Sequence, residues 1–141
     1  MIYLLDTDHL SVLQRGGQSS HPLVRRLRNI GHDDYGTTIV SHEEQCRGWA
    51  NFVHKAQTPQ DRLESYGQLR NNLRFFCAIA VLDYTDTADA LVRTWQTAKI
   101  RVGIKDLRIA AITLSSHATL LTRNSRDFEK VPGLRTDDWT I

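Results

Sequence analysis

The 141-residue sequence is poor in cysteine, in long apolar runs and in excess charge of either sign, and each shortage removes a class of protein. Its two cysteines, Cys46 and Cys77, stand far apart without a Cys-x-x-Cys pair. That excludes a zinc ribbon and a disulfide framework, and reads as two buried free thiols. The longest unbroken apolar stretch, Phe75 to Leu82, is less than half the roughly 18 residues a membrane helix needs. No membrane span is expected. The opening Met-Ile-Tyr-Leu-Leu-Asp has no basic region ahead of a long apolar one, so it does not read as a secretory signal and a cytoplasmic protein is expected. With 18 basic against 16 acidic side chains, the net charge of +2 is too small to imply a nucleic-acid partner by itself.

Several motifs are missing as well. Without a Gly-x-Gly-x-x-Gly stretch, a Walker loop or a Gly-x-Ser-x-Gly elbow, dinucleotide binding, P-loop chemistry and acyl transfer have little support. His9, His21, His32, His42, His54 and His117 have no His-x-x-x-His or His-Glu-x-x-His spacing, so they read as surface or packing residues and no zinc site is expected. No repeat or low-complexity tract divides the chain, and residues 1–141 read as one domain.

What is present is a folded protein's composition, 40% hydrophobic and 24% charged. Ile2 to Leu5 reads as a buried strand that stops at Asp6. Asp8 then caps a helix reaching about Arg15 and broken by Gly16-Gly17, and Pro22 opens a second helix up to Gly31. Thr37 to Val40 reads as strand two, followed by a helix from Ser41 to about Gln57 whose Ser41-x-x-Glu44 has the form of a capping box. A further helix starts at Pro59, with Leu63, Tyr66, Leu69, Leu73 and Phe76 at helical spacing, and should form a hairpin with the one before it. Trp49, Tyr66, Phe75, Phe76 and Trp95 read as core aromatics. Ile79 to Leu82 is a third strand, Thr85 or Asp86 caps a helix through Lys99, Asp106 opens another, Ala118 to Thr122 is a fourth strand and Leu134 to Thr136 a short fifth. Short apolar strands alternating with helices predict an α/β class protein, a three-layer α/β/α sandwich around a parallel sheet of four to five strands.

In such sheets ligands bind where the chain leaves the carboxyl ends of the strands. That is where the acids fall. Asp6 and Asp8 follow strand one, Glu44 lies in the first turn after strand two, Asp106 begins the helix before strand four, and Asp127 follows strand four. Singly, Glu44 also reads as the capping-box partner of Ser41, Asp8 and Asp106 as N-caps, and Asp127 as a turn residue. Jointly, they form a carboxylate cluster whose mutual repulsion asks for a cation. Hard oxygen ligands without a Cys or His set suit Mg²⁺ or Mn²⁺, which also bind substrate phosphates.

Leu4-Leu5-Asp6-Thr7-Asp8-His9-Leu10-Ser11, Ser41 to Gly48 with Glu44, Gly103-x-x-Asp106-x-x-Ile109-Ala110-Ala111, and Ala118 to Phe128 with Asp127 stand in the order of the four motifs of PIN-domain ribonucleases. The sequence resembles in particular the VapC-type toxins of toxin-antitoxin pairs, and Val131-Pro132-Gly133-Leu134 with Trp139 extends the likeness. The resemblance implies an endoribonuclease in which Asp6, Glu44, Asp106 and Asp127 hold one or two Mg²⁺ or Mn²⁺ ions, with Asp8, Ser11, Thr122 and Asn124 supporting them. Glu43 stands beside Glu44, and Asn124 near Asp127, as alternative ligands. Arg15, Arg25, Arg26, Lys105, Arg123 and Arg126 are candidates for the RNA backbone. A homodimer and a VapB-like antitoxin are implied partners.

Two other readings fit parts of the pattern. Asp6-x-Asp8 after a strand also suits a haloacid-dehalogenase-type phosphatase with Asp6 as nucleophile. An acidic pocket also suits a non-catalytic receiver-like module, for which Asp83 is the available phosphoacceptor.

Overall fold

The computed structural model describes residues 1–16 and 20–141, so Gly17 of the expected helix break lies outside the described residues. The sheet is five-stranded and parallel throughout, in the order β3-β2-β1-β4-β5. Its strands are β1 (Tyr3–Leu5), β2 (Tyr35–Thr38), β3 (Val81–Leu82), β4 (Thr119–Leu121) and β5 (Arg135–Asp137). The helices are α1 (Thr7–Gln14), α2 (Pro22–Ile30), α3 (Ile39–Lys55), α4 (Pro59–Ala78), α5 (Asp86–Thr97), α6 (Ile104–Ser115) and the short α7 (Ser125–Phe128).

Successive residues on a strand point to opposite faces, and here both faces are covered. Leu4 and Leu120 pack with Val92, Trp95, Ala110 and Phe128 beneath α5 and α6. Leu5 and Leu121 pack with Leu10, Leu23, Leu27 and Phe76 beneath α1, α2 and the end of α4. All four strand leucines are 0% exposed, each contributing roughly 1.5–3 kcal/mol by burial. The architecture is therefore the expected α/β/α sandwich, with a PIN-like order of elements. The central strand β1 is tied to β2 by the buried Thr37 hydroxyl, which donates to the Leu5 carbonyl at 2.7 Å. Gly36 keeps β2 close to its neighbours, because a Cβ there would lie 2.6 Å from the Ala80 carbonyl oxygen.

Several boundaries differ from expectation. Strand two ends at Thr38, and Ile39 and Val40 already belong to α3. The Thr38 hydroxyl accepts from the Ser41 amide at 3.1 Å, so the helix starts early despite its β-branched opening. Ser41 is thus inside the helix, no Ser41–Glu44 capping box forms, and Glu44 lies in the second turn rather than the first. Asp6, not Asp8, caps α1, its carboxylate accepting from the Thr7 amide at 2.8 Å. Gly103 caps α6, leaving Asp106 in its first turn.

The α3–α4 hairpin forms as expected, but its apolar stripe is only partly covered. Phe76 is buried, whereas Leu63, Tyr66 and Leu73 are 71%, 59% and 55% exposed. Tyr66 is therefore not a core aromatic, and Trp49 and Phe75 are half-buried. Nor are both thiols buried, since Cys77 is exposed and Cys46 half-buried. No helix among the described residues is long and apolar enough to cross a membrane.

Candidate active site

Because β1 is central and parallel to both neighbours, its carboxyl end opens between the start of α3, the start of α6 and the loop after β4. Asp6 sits there at 7% exposure. Its Oδ1 accepts from the Thr7 amide at 2.8 Å and its Oδ2 from the Thr122 hydroxyl at 2.8 Å. Burial pushes the Asp6 carboxyl up to about 6, with repulsion from Asp8 and Asp106 adding to it and the Thr7 and Thr122 hydrogen bonds opposing. Asp106 is likewise raised, by burial and then by the charges of Asp127 and Asp8. Glu44 is raised by burial and then by Asp106, against a smaller pull from Lys105 and Arg47. The acids drawn from four separated segments thus feel one another's charge.

The remaining candidates divide. Burial raises Asp8 too, but hydrogen bonds with His9 and from the Arg123 amide outweigh it and hold the carboxyl below its ordinary value. Asp127 accepts from the Asn124 side-chain amide at 3.2 Å and lies 3.6 Å from the Lys130 ammonium, both at the rim. The Asn124 backbone amide donates to the Thr122 hydroxyl at 3.0 Å, so Thr122 and Asn124 do brace the acids. Ser11 does not: its hydroxyl donates to the Thr7 carbonyl at 2.9 Å, inside α1. Glu43 pairs with Lys105 and with Arg47, whereas Glu44 receives no hydrogen bond among the described residues. Losing the capping box leaves Glu44 free to face Asp106.

Of the basic candidates, Arg15 and Arg123 line one concavity with His21 and Thr140. Arg25 and Arg126 are exposed, and the Arg26 guanidinium lies 5.3 Å from the Trp139 ring centroid. Lys105 is engaged by Glu43 at the edge of the acids.

Among the described residues no three His, Cys, Asp or Glu side chains converge tightly enough to grip an ion by themselves. Mg²⁺ does not need such a cage, since it keeps several waters and binds through one or two carboxylates together with substrate phosphates. The chemistry of the donor set fits it: oxygen donors only, three of them raised by burial and mutual repulsion, and, among the described residues, no basic side chain paired with Asp6 or Asp106. The receiver-like reading gains nothing here, because Asp83 follows the edge strand β3, where such a pocket would need a central one.

Sequence reasoning missed His9, which is fully buried and bonded on both ring nitrogens. Its one local signal is its place three residues after the cap Asp6, on the same side of α1.

No family model matches the sequence, and no curated protein matches it. Solved structures do. A chain of VapBC-1 from nontypeable Haemophilus influenzae superposes with a TM-score of 0.74 at 21% identity over 100% of both chains. A chain of VapBC2 from Rickettsia felis, bound to a DNA fragment from its promoter, gives 0.72 at 20% identity over 99% of both. VapBC-5 from Mycobacterium tuberculosis, a member of the VapBC family of toxin-antitoxin systems, gives 0.57 at 21% identity over 99% of this chain and 98% of that one. At these identities the likeness is one of fold.

Proposed function

We propose that this chain, which shares its fold with chains of VapBC structures, is a Mg²⁺- or Mn²⁺-dependent endoribonuclease and the toxin of a VapBC-type pair. One observation carries the reading: carboxylates from four separated segments lie close enough at the carboxyl end of a parallel sheet to repel one another, and Asp6, Glu44 and Asp106 are each raised with no base paired to Asp6 or Asp106 among the described residues. Such a site is at its least stable when ionised and empty of cations.

Asp6, Glu44, Asp106 and Asp127 would hold the divalent ion or ions. A bound ion supplies a water of lowered pKa and a counter-charge for the phosphate. The chain's own residues do the rest. Thr122 fixes the Asp6 carboxylate by donating to Oδ2, and Asn124 orients Asp127. Lys105, Arg123 and Arg15 stand where a polyanion would approach, and positive charge there offsets the repulsion between acids and RNA. By family resemblance the products carry a 5′-phosphate and a 3′-hydroxyl.

The partners belong to the same reading: an RNA substrate, a second copy of the chain and a VapB-like antitoxin. The exposed Leu63, Tyr66 and Leu73 on α4 leave apolar surface that a partner protein would cover. The direct test is incubation of purified protein with total tRNA and ribosomal RNA, with and without Mg²⁺ or Mn²⁺, followed by mapping of the cut ends. Metal-dependent internal cuts ending in 5′-phosphates are expected. Cleavage that persists under excess chelator would overturn the reading.

A further inference from the structure

Of the six histidines, His9 alone is fully buried, at 0% exposure. Its Nε2 lies 3.1 Å from the backbone nitrogen of Trp139, and its Nδ1 lies 2.6 Å from Oδ1 of Asp8. A backbone amide can only donate, so Nε2 must present its lone pair, and the ring proton is then on Nδ1, donated to Asp8. The tautomer is fixed by the far end of the chain, 130 positions away. Asp138 lies 3.5 Å from the same Nε2, but its Oδ1 is already taken by the Thr140 amide at 2.8 Å and hydroxyl at 2.6 Å.

The other Asp8 oxygen accepts from the Arg123 amide at 2.9 Å and stands 3.4 Å from the Thr122 hydroxyl. The hydroxyl's single proton goes to Asp6 at the shorter distance, 2.8 Å. Trp139 is itself held firmly. It is 5% exposed, its indole donates to Asp137 at 2.9 Å, its ring centroid is 4.5 Å from that of Tyr3, and Arg26 lies over it. A connected path therefore runs from Trp139 through His9 and Asp8 to the loop 122–124, whose hydroxyl and amide hold Asp6 and Asp127.

We propose that His9 is a positioning residue of the acid site, its tautomer set by the Trp139 amide, so that the C-terminal segment fixes Asp8 and, through the Arg123 amide and the loop that carries Thr122, the orientation of Asp6 toward a divalent ion. The inference deepens the metal-site reading and rests on it. Partners that orient metal ligands typically account for 10- to 100-fold in metal affinity.

The test uses the full-length chain and Mn²⁺ alone. Long-range ¹⁵N–¹H NMR on the wild type is expected to show His9 as the Nδ1–H tautomer, and an Nε2–H ring would overturn the proposal whatever the variants do. Calorimetric Mn²⁺ titration then compares His9→Gln, which keeps an acceptor for Trp139 but loses the donor to Asp8, with His9→Asn, whose amide N–H occupies the place of Nδ1. A loss of about tenfold or more in Mn²⁺ affinity is expected for His9→Gln, which drops the bond to Asp8, and a smaller loss for His9→Asn, which keeps that bond but drops the anchor on Trp139. A merely structural histidine would lower the melting temperature of both variants and leave Mn²⁺ affinity at the wild-type value, and that result overturns the proposal. Wild-type protein that takes up no Mn²⁺ sinks the metal reading and this inference with it. Unchanged affinity in folded His9→Gln sinks this inference alone.

Discussion

Asp6 and Asp8 leave the same strand two residues apart, yet their carboxyls move in opposite directions. Asp6 is pushed up to about 6 by burial, while Asp8, also buried in part, is held below its ordinary value by His9 and the Arg123 amide. Glu43 and Glu44 repeat the contrast on α3. A hydrogen bond from Lys105 pulls Glu43 down, and burial with repulsion from Asp106 pushes Glu44 up. In each pair the protein's own donors outweigh burial at one acid, while at the other burial and like charge outweigh them. On the proposed reading, a working carboxylate is marked by net destabilisation of its charge rather than by clustering alone.

The sharpest way to break this division is to remove an uncompensated acid. Asp106→Asn and Glu44→Gln keep volume and drop charge, and both should abolish RNA cleavage without loss of fold, read by cut-end mapping and by circular dichroism. Full activity in Asp106→Asn would make the crevice a structural feature.

The next effect is on stability, and it should have opposite sign for the two aspartates. The Asp6 carboxyl is raised from 3.8 to about 6, so between those values the folded state binds more protons than the unfolded one. Stability therefore falls as pH rises from about 4 to about 6, and the cost, roughly 2–3 kcal/mol at full ionisation, persists above it. Asp6→Asn should raise the melting temperature at pH 7.5 and flatten that slope. Mg²⁺ should stabilise the wild type at pH 7.5 and have little effect on Asp6→Asn. Asp8→Ala should instead destabilise by about 2–3 kcal/mol, because the His9 N–H and the Arg123 amide lose a charged acceptor. Denaturant unfolding of both variants across pH 4.5–8 checks the signs.

Much of this was legible in the sequence, for identifiable reasons. The end of β1 at Asp6 is plain because an acid directly after buried leucines leaves few alternatives. The α3 boundary was not, since Ile39 and Val40 favour strand locally while the Thr38 cap decides for helix. That local competition also hid the choice between the cap and site roles of Glu44. The α4 stripe announced a helix correctly, but periodicity says nothing about whether anything covers Leu63, Tyr66 and Leu73. His9 was invisible as more than a packing residue because what defines it, the Trp139 amide, comes from the other end of the chain.

The smallest expected effect separates the neighbours on α3. Glu43 lies on the surface with Lys105 and Arg47 as partners, and exposed pairs of this kind contribute little because water screens them and long side chains lose freedom in forming them. Glu43→Gln should therefore leave the unfolding midpoint and metal-dependent cleavage close to wild type, with at most a weaker dependence of RNA binding on salt as Lys105 is released toward the backbone of the substrate. Cleavage lost in Glu43→Gln and kept in Glu44→Gln would exchange their roles and show that ion pairing, rather than its absence, marks the working acid on this helix.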